Sequence, residues 1–255
     1  MSDTAAEGLN LGNLPAQAGE AVQSLAETLR ADLGENLRSL SVVGSALTQD
    51  FDPARSDINT VLVVGRRSHE LLGRIASYGR TMGRKHLRAP LLMTPEYIER
   101  SVDVFGVELL DFQLNHLTVV GDDPFDRLEF TKSDVRLQCE RELKASLIGL
   151  RQGYIRSMGD HRLIGEVLAG CLGNVLPVMR AMLWLEGRER SPLANATIAA
   201  AADAFGFDAA TLAPVVRLRR HEEKARAETV DASFEGLYRV VDLLSRKVDE
   251  LELKA

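Results

Sequence analysis

Residues 43 to 65, VGSALTQDFDPARSDINTVLVVG, combine the side-chain types that place a polyanion beside a cation. Gly44 lets backbone N–H groups approach a phosphate closely, and the Ser45 hydroxyl can donate to a phosphoryl oxygen. Thirteen positions beyond Gly44, Asp57 opens an apolar run, with Asn59 two residues later. Side chains at i and i+2 on a strand share one face, so Asp57 and Asn59 can grip a hard cation together. The intervening loop holds the turn formers Asp50, Asp52, Pro53 and Ser56. Arg55, beside Ser56, can reach a ligand or pair with Asp50 or Asp52.

Two strands must position these groups. Leu40, Val42 and Val43 form a short apolar run that breaks at Gly44-Ser45, and the chain rises again in β-branched residues from Ile58 to Val64. The pattern therefore predicts strand, polar loop, strand, with the chemistry at the two inner ends.

The string GSALTQDFDPARSDIN resembles the signature of the polymerase-β-like nucleotidyltransferases: Gly-Gly or Gly-Ser, a polar loop, then an acidic, an apolar and a second acidic residue. It is most similar to the bacterial branch that includes the aminoglycoside adenylyltransferases, in which a helical domain follows the catalytic one. The resemblance is sharp over residues 40 to 65 and loose elsewhere. It implies a magnesium-dependent transfer, with manganese as the alternative ion, of a nucleoside monophosphate from ATP or another nucleoside triphosphate to an unidentified hydroxyl acceptor. By the same resemblance Gly44, Ser45, Arg55 and Ser56 contact the triphosphate, and Asp57, Asn59 and a third carboxylate on a later strand hold the metal. Two metals about 4 Å apart would clamp the attacking and leaving oxygens.

The third carboxylate is sought in Phe105–Gln113, FGVELLDFQ, which reads as a strand. Alternation would put Glu108 on one face and Asp111 on the other, so one of them faces Asp57. The resemblance favours Glu108, which Gly121 follows, as metal ligand and general base; Asp111 is the alternative. Asn59 departs from the family pattern, because its amide can coordinate a cation and cannot neutralise it. Three outcomes follow: a working transferase with Asp57 and Glu108 as catalytic residues, a nucleotide binder or sensor with little turnover, or an interaction module on the same fold.

The remainder of the chain reads as support. A leader to residue 14 precedes a helix from about Ala18 to Gly34. Another helix spans about 68 to 82, strands are expected at Leu87–Met93 and Val104–Phe112, and a short helix opens at Thr94-Pro-Glu. Beyond residue 132 the spacing is helical throughout, with helices near 133–154, 161–187, 195–205 and 209–225 and a last one ending near Leu251. The expected fold is α/β (α+β): a small mixed-sheet nucleotidyltransferase-like domain over residues 15–130 and an all-α bundle over 131–255. The last helix carries Phe234, Leu237, Val241, Leu244, Val248 and Leu251 at spacings of three and four, which fits a bundle-packing face or a homodimer seam. Arg80, Arg84, Lys85 and Arg88 form a basic stretch that reads as a solvated edge or as a triphosphate contact. His116 reads as a structural hydrogen-bonding residue.

A net charge of −6 over 255 residues argues against general nucleic-acid binding. The first residues lack the basic and apolar pattern of a secretory signal, and Asn174, Pro177 and Arg180 interrupt the most apolar window, which argues for a bundle helix over a membrane span. Two distant cysteines, Cys139 and Cys171, fit buried reduced thiols, and the cytoplasm is the expected compartment.

Overall fold

The apolar runs on either side of the Gly44 turn pair with each other, and the rest of the first half of the chain is arranged around that pairing. The computed structural model describes residues 8–251, so residues 1–7 of the expected leader lie outside the described residues. The chain divides into two units, 1–102 with 115–128, and 103–114 with 129–255.

In the first unit, α1 (Ala16–Leu33) leads into β1 (Leu37–Val43), and β2 (Asn59–Val64) follows the signature loop. Next come α2 (His69–Ser77), α3 (Gly79–Arg84), β3 (Leu91–Met93), α4 (Pro95–Glu99) and β4 (His116–Gly121). The sheet order is β3-β2-β1-β4; β1 is antiparallel to both β2 and β4, and β3 is parallel to β2. One face is apolar: Leu40, Val42, Leu62 and Val64 pack against Ala18, Val22, Leu25 and Leu29 of α1. Helical spacing on α1 and alternation on the strands meet in one core. Ser68 and Thr94 cap α2 and α4 by accepting from Leu71 N and Tyr97 N.

Two expectations are corrected here. Residues 8 to 14, read as leader, lie along the β4 edge: Asn10 N donates to Val119 O and Asn10 Nδ2 to Thr118 O, both at 3.1 Å, while Leu9, Leu11 and Leu14 pack on the core. The strand expected at Val104–Phe112 is a helix, α5 (Gly106–Leu114), and belongs to the second unit. Leucine favours helices, and the short apolar run VELL has no periodicity that separates the two states. The deciding contact is distant in sequence: Gln138 Oε1 accepts from Val107 N at 2.9 Å and satisfies a first-turn N–H. β4 is a strand that the spacing does not predict, since HLTVVG is short and opens on His116.

The second unit adds α6 (Lys132–Ser157), α7 (His161–Leu185), α8 (Ala194–Phe205), α9 (Ala213–Arg219) and α10 (Ala227–Glu250). By length and mean hydropathy α7 is apolar enough to cross a membrane, yet 61% of its most apolar stretch is buried within the fold, packed by α5, α6, α8, α9 and α10. Burial from several sides accounts for that composition. Leu237, Val241, Leu244 and Val248 of α10 lie in the same core, so the stripe is a bundle-packing face. Cys139 and Cys171 are free thiols that burial pushes up to about 12, and hence protonated.

Gly121 ends β4 at φ +76°, and a Cβ there would lie 1.8 Å from Arg38 O. Gly121→Ala is expected to lower unfolding stability by about 3 kcal/mol, from left-handed strain and displacement of the β1 backbone. Urea denaturation checks this; an unchanged midpoint would show that the β1–β4 pairing yields without cost.

Candidate functional site

The first unit assembles a polar cluster at the inner ends of β1 and β2. Val43 pairs with Asn59, which brings the turn after β1 beside the start of β2. Gly44 sits at φ +80°, a conformation open to glycine, and a Cβ placed on it would lie 3.8 Å from Asn59 Nδ2. Asn115 Nδ2 donates to Gly44 O at 3.0 Å and fixes the turn from the β4 side. Ser45 is the second residue of the short 3-10 turn Gly44–Leu47, and its carbonyl accepts from Thr48 N at 2.9 Å and Thr48 Oγ1 at 3.1 Å. These bonds hold the backbone of the turn and leave the Ser45 hydroxyl outside them.

The loop is closed by its own polar groups. Asp52 Oδ1 accepts from Ala54 N at 2.9 Å, and Ser56 Oγ accepts from Asp52 N at 3.0 Å. Ser56, expected to contact ligand, thus shapes the loop, and Arg55 is an exposed residue at its tip.

Asp57 has an arginine neighbour. Arg88 Nε donates to Asp57 Oδ2 at 2.7 Å, 31 positions apart in sequence. Backbone pairing makes this contact: Ile58 N donates to His86 O at 2.7 Å, Arg88 N donates to Ile58 O at 3.0 Å, and Ile58 bridges Leu87 in parallel. Ile58 and Leu87 are 1% and 5% exposed, so both turn into the core. Alternation then sends Asp57, Asn59 and Arg88 to the other side. Arg88 belongs to the basic stretch that reads as a solvated edge or a triphosphate contact; its pairing with Asp57 is tertiary information.

His116, the first residue of β4, pairs with Val43 in the same row as Asn59. Its Nε2 lies 2.7 Å from Asp123 Oδ2, and its ring meets Phe125 edge-on at 5.1 Å. Burial works against the Asp123 carboxylate, but the Phe125 N–H and His116 outweigh it and hold Asp123 below the usual carboxylate range. His116 is thereby anchored, in keeping with a structural role.

Glu108 and Asp111 lie on α5, and each is held within the second unit. Gln138 Nε2 donates to Glu108 Oε2 at 2.7 Å. Arg180 grips Asp111 in a two-point pair, Nε to Oδ1 at 2.5 Å and Nη2 to Oδ2 at 3.0 Å, with side chains 11% and 17% exposed. On a strand, alternation would set the two acids on opposite faces, with one of them toward Asp57. On a helix, residues three apart lie on neighbouring positions of one side, so Glu108 and Asp111 are not set on opposite faces. Burial pushes the Glu108 carboxyl above its usual range, helped by the Glu142 carboxylate and opposed by hydrogen bonds from backbone and Gln138.

The residues can be tested against the magnesium or manganese pair that the resemblance implies. Among the described residues no group of three or more His, Cys, Asp or Glu side chains is placed to hold a metal ion. Within the first unit Asp57 is neutralised by Arg88 and Asn59 is an amide. Magnesium sites rely on carboxylate oxygens, so this donor set does not fit a pair of such ions.

No protein-family model matches the chain, and no curated protein matches its sequence. Among solved structures, a spectinomycin adenyltransferase, AAD(9) from Enterococcus faecialis, solved with ATP and spectinomycin, has a similar fold at 12% sequence identity and a TM-score of 0.52. The match covers 90% of this chain and 98% of that one. The likeness shows an adenylyltransferase-like fold: an α/β nucleotidyltransferase architecture with a mixed four-stranded sheet, and a helical domain.

The two α5 acids should respond differently to substitution. Asp111→Ala leaves Arg180 buried without its counter-charge and is expected to destabilise the protein by about 3–5 kcal/mol, read by chemical denaturation. Glu108 has a raised carboxyl pKa, so the folded state holds its proton more tightly than the unfolded chain, and stability is lost as pH rises from the unfolded pKa through the folded one. Glu108→Gln is expected to raise the melting midpoint at pH 8 and to change it little at pH 3. Equal effects at both pH values would contradict this.

Proposed function

We propose that the protein binds a nucleoside triphosphate, with ATP as the candidate, against the Gly44–Ser45 turn, and that nucleotidyl transfer to a hydroxyl acceptor is weak or lost. The observation that carries the reading is the state of the two signature positions: Asp57 is paired with Arg88 at 2.7 Å, and Asn59 supplies an amide. Phosphoryl transfer asks a protein chiefly for positioning and for neutralisation of developing charge. The Gly44–Ser45 turn, held at the end of β1 by the β1–β2 register, supports a positioning role for these residues. The anionic elements that would recruit metal are reduced. An adenyltransferase of similar fold was solved with ATP, which supports ATP as the nucleotide here. The acceptor would be a small hydroxyl compound, with spectinomycin in that neighbour as the one analogy.

An active transferase is the second reading. It is favoured by the retention of Gly44, Ser45 and Asp57 at signature spacing. On that reading Asp57 is a catalytic residue, as the resemblance implies.

Titration calorimetry with ATP tests the binding, and α-phosphate-labelled ATP incubated with a small-molecule extract tests the transfer. The expected result is saturable ATP binding, weakened at least about tenfold in Gly44→Val, which would fill the turn and strain its backbone, a loss of about 1.4 kcal/mol. Label transfer is expected to stay near background. Absence of binding at millimolar ATP would refute the proposal, and strong labelling abolished in Asp57→Ala would establish the second reading.

A further inference from the structure

We infer that Arg88 supplies the positive charge at this site, so that the polyphosphate is recognised by a guanidinium and needs no divalent cation. The inference rests on the reading that a nucleoside triphosphate sits at the Gly44–Ser45 turn, and it concerns how the charge of that ligand is met.

The backbone delivers Arg88 to the place where a cation would have to act. The strand beside β2 is reached through the Ile58–Leu87 bridge, and the residue it sets next to Asp57 and Asn59 is an arginine. Local charge can be summed over these three side chains. Asp57 contributes −1, Arg88 +1 and Asn59 nothing, so the cluster has no negative charge left to draw in magnesium. A site with two carboxylates would carry −2 and require a cation before a triphosphate could approach. Here the neutralising group is covalently part of the chain.

The pair is also built to exchange. Arg88 and Asp57 side chains are 67% and 43% exposed, and a solvent-open ion pair holds its partners weakly. Only Nε of Arg88 is committed to Asp57; among the described residues neither Nη group makes a hydrogen bond. A guanidinium presents its donors as a planar fork that matches two phosphate oxygens, and it stays charged at any working pH. The Asn59 amide, beside Gly44 and without a hydrogen bond among the described residues, adds a neutral donor that a carboxylate could not provide. Replacement of acid by amide at 59 and the arginine at 88 thus act in the same direction: both favour an anion over a cation.

Calorimetric titration of the full chain with ATP and with inorganic tripolyphosphate, each in excess magnesium and in EDTA, tests this. Binding in EDTA is expected to lie within about threefold of that in magnesium, and tripolyphosphate is expected to compete with ATP. Arg88→Ala should weaken binding in EDTA at least tenfold, and Arg88→Lys should restore part of it, because charge returns without the fork. Asp57→Ala provides the sharpest sign. If Asp57 is a metal ligand, its removal abolishes binding; if it is the resting partner of Arg88, its removal leaves ATP affinity in EDTA equal or higher. Circular dichroism confirms that each variant is folded, and Arg88→Gln replaces Arg88→Ala should the latter unfold. ATP binding that disappears in EDTA and in Asp57→Ala overturns this inference and leaves nucleotide binding intact. Loss of all binding, in every condition, overturns both.

Discussion

The antiparallel register of β1 and β2, with Val43 opposite Asn59, is the constraint on which the candidate site depends. It carries the glycine turn and the acidic start of the next strand to the same end of the sheet although a long polar loop separates them. A shift of one residue would turn Asp57 and Asn59 into the core and Ile58 out of it. The apolar face formed by Leu40, Val42, Leu62 and Val64 prevents that shift, since each of these side chains is buried against α1. The site is therefore held by hydrophobic packing on the opposite face of the strands that bear it.

Electrostatics at the end of those strands follows from a second pairing. The parallel bridge from Ile58 to Leu87 sets Arg88 beside Asp57, and the result is a locally neutral cluster of acid, amide and guanidinium next to a glycine turn. Such a cluster treats a polyphosphate and a divalent cation differently from a site with two free carboxylates. The signature spacing is preserved while the local balance of charge differs from that of an acid pair.

In the helical unit the polar groups serve order. α7 is apolar on nearly every side because other helices surround it, and the charge it does bury, Arg180, is matched by the two carboxylate oxygens of Asp111. Gln138 links α6 to α5 by accepting from Val107 N and donating to Glu108 Oε2, so one side chain caps a helix and orients an acid. Glu108 and Asp111, the metal-ligand candidates of the sequence, accept hydrogen bonds in this unit from Gln138 and Arg180.

Periodicity and local chemistry carried much of the fold by themselves. The run of β1, the β-branched β2, the cap at Thr94 and the helical spacing beyond residue 132 are all short-range signals, because the side chains that define each element lie within a few residues of one another. The glycine-serine turn and Asp57 were legible for the same reason: their spacing along one hairpin is contiguous information. What tertiary structure decided depends on partners far away in sequence. The segment around Glu108 is a helix because Gln138 and the apolar surface of α7 meet it, and HLTVVG becomes a strand because β1 offers it an edge. Above all, Arg88 reaches Asp57 across 31 residues through a parallel bridge, and no local pattern announces which arginine of a basic stretch will be the one that does so.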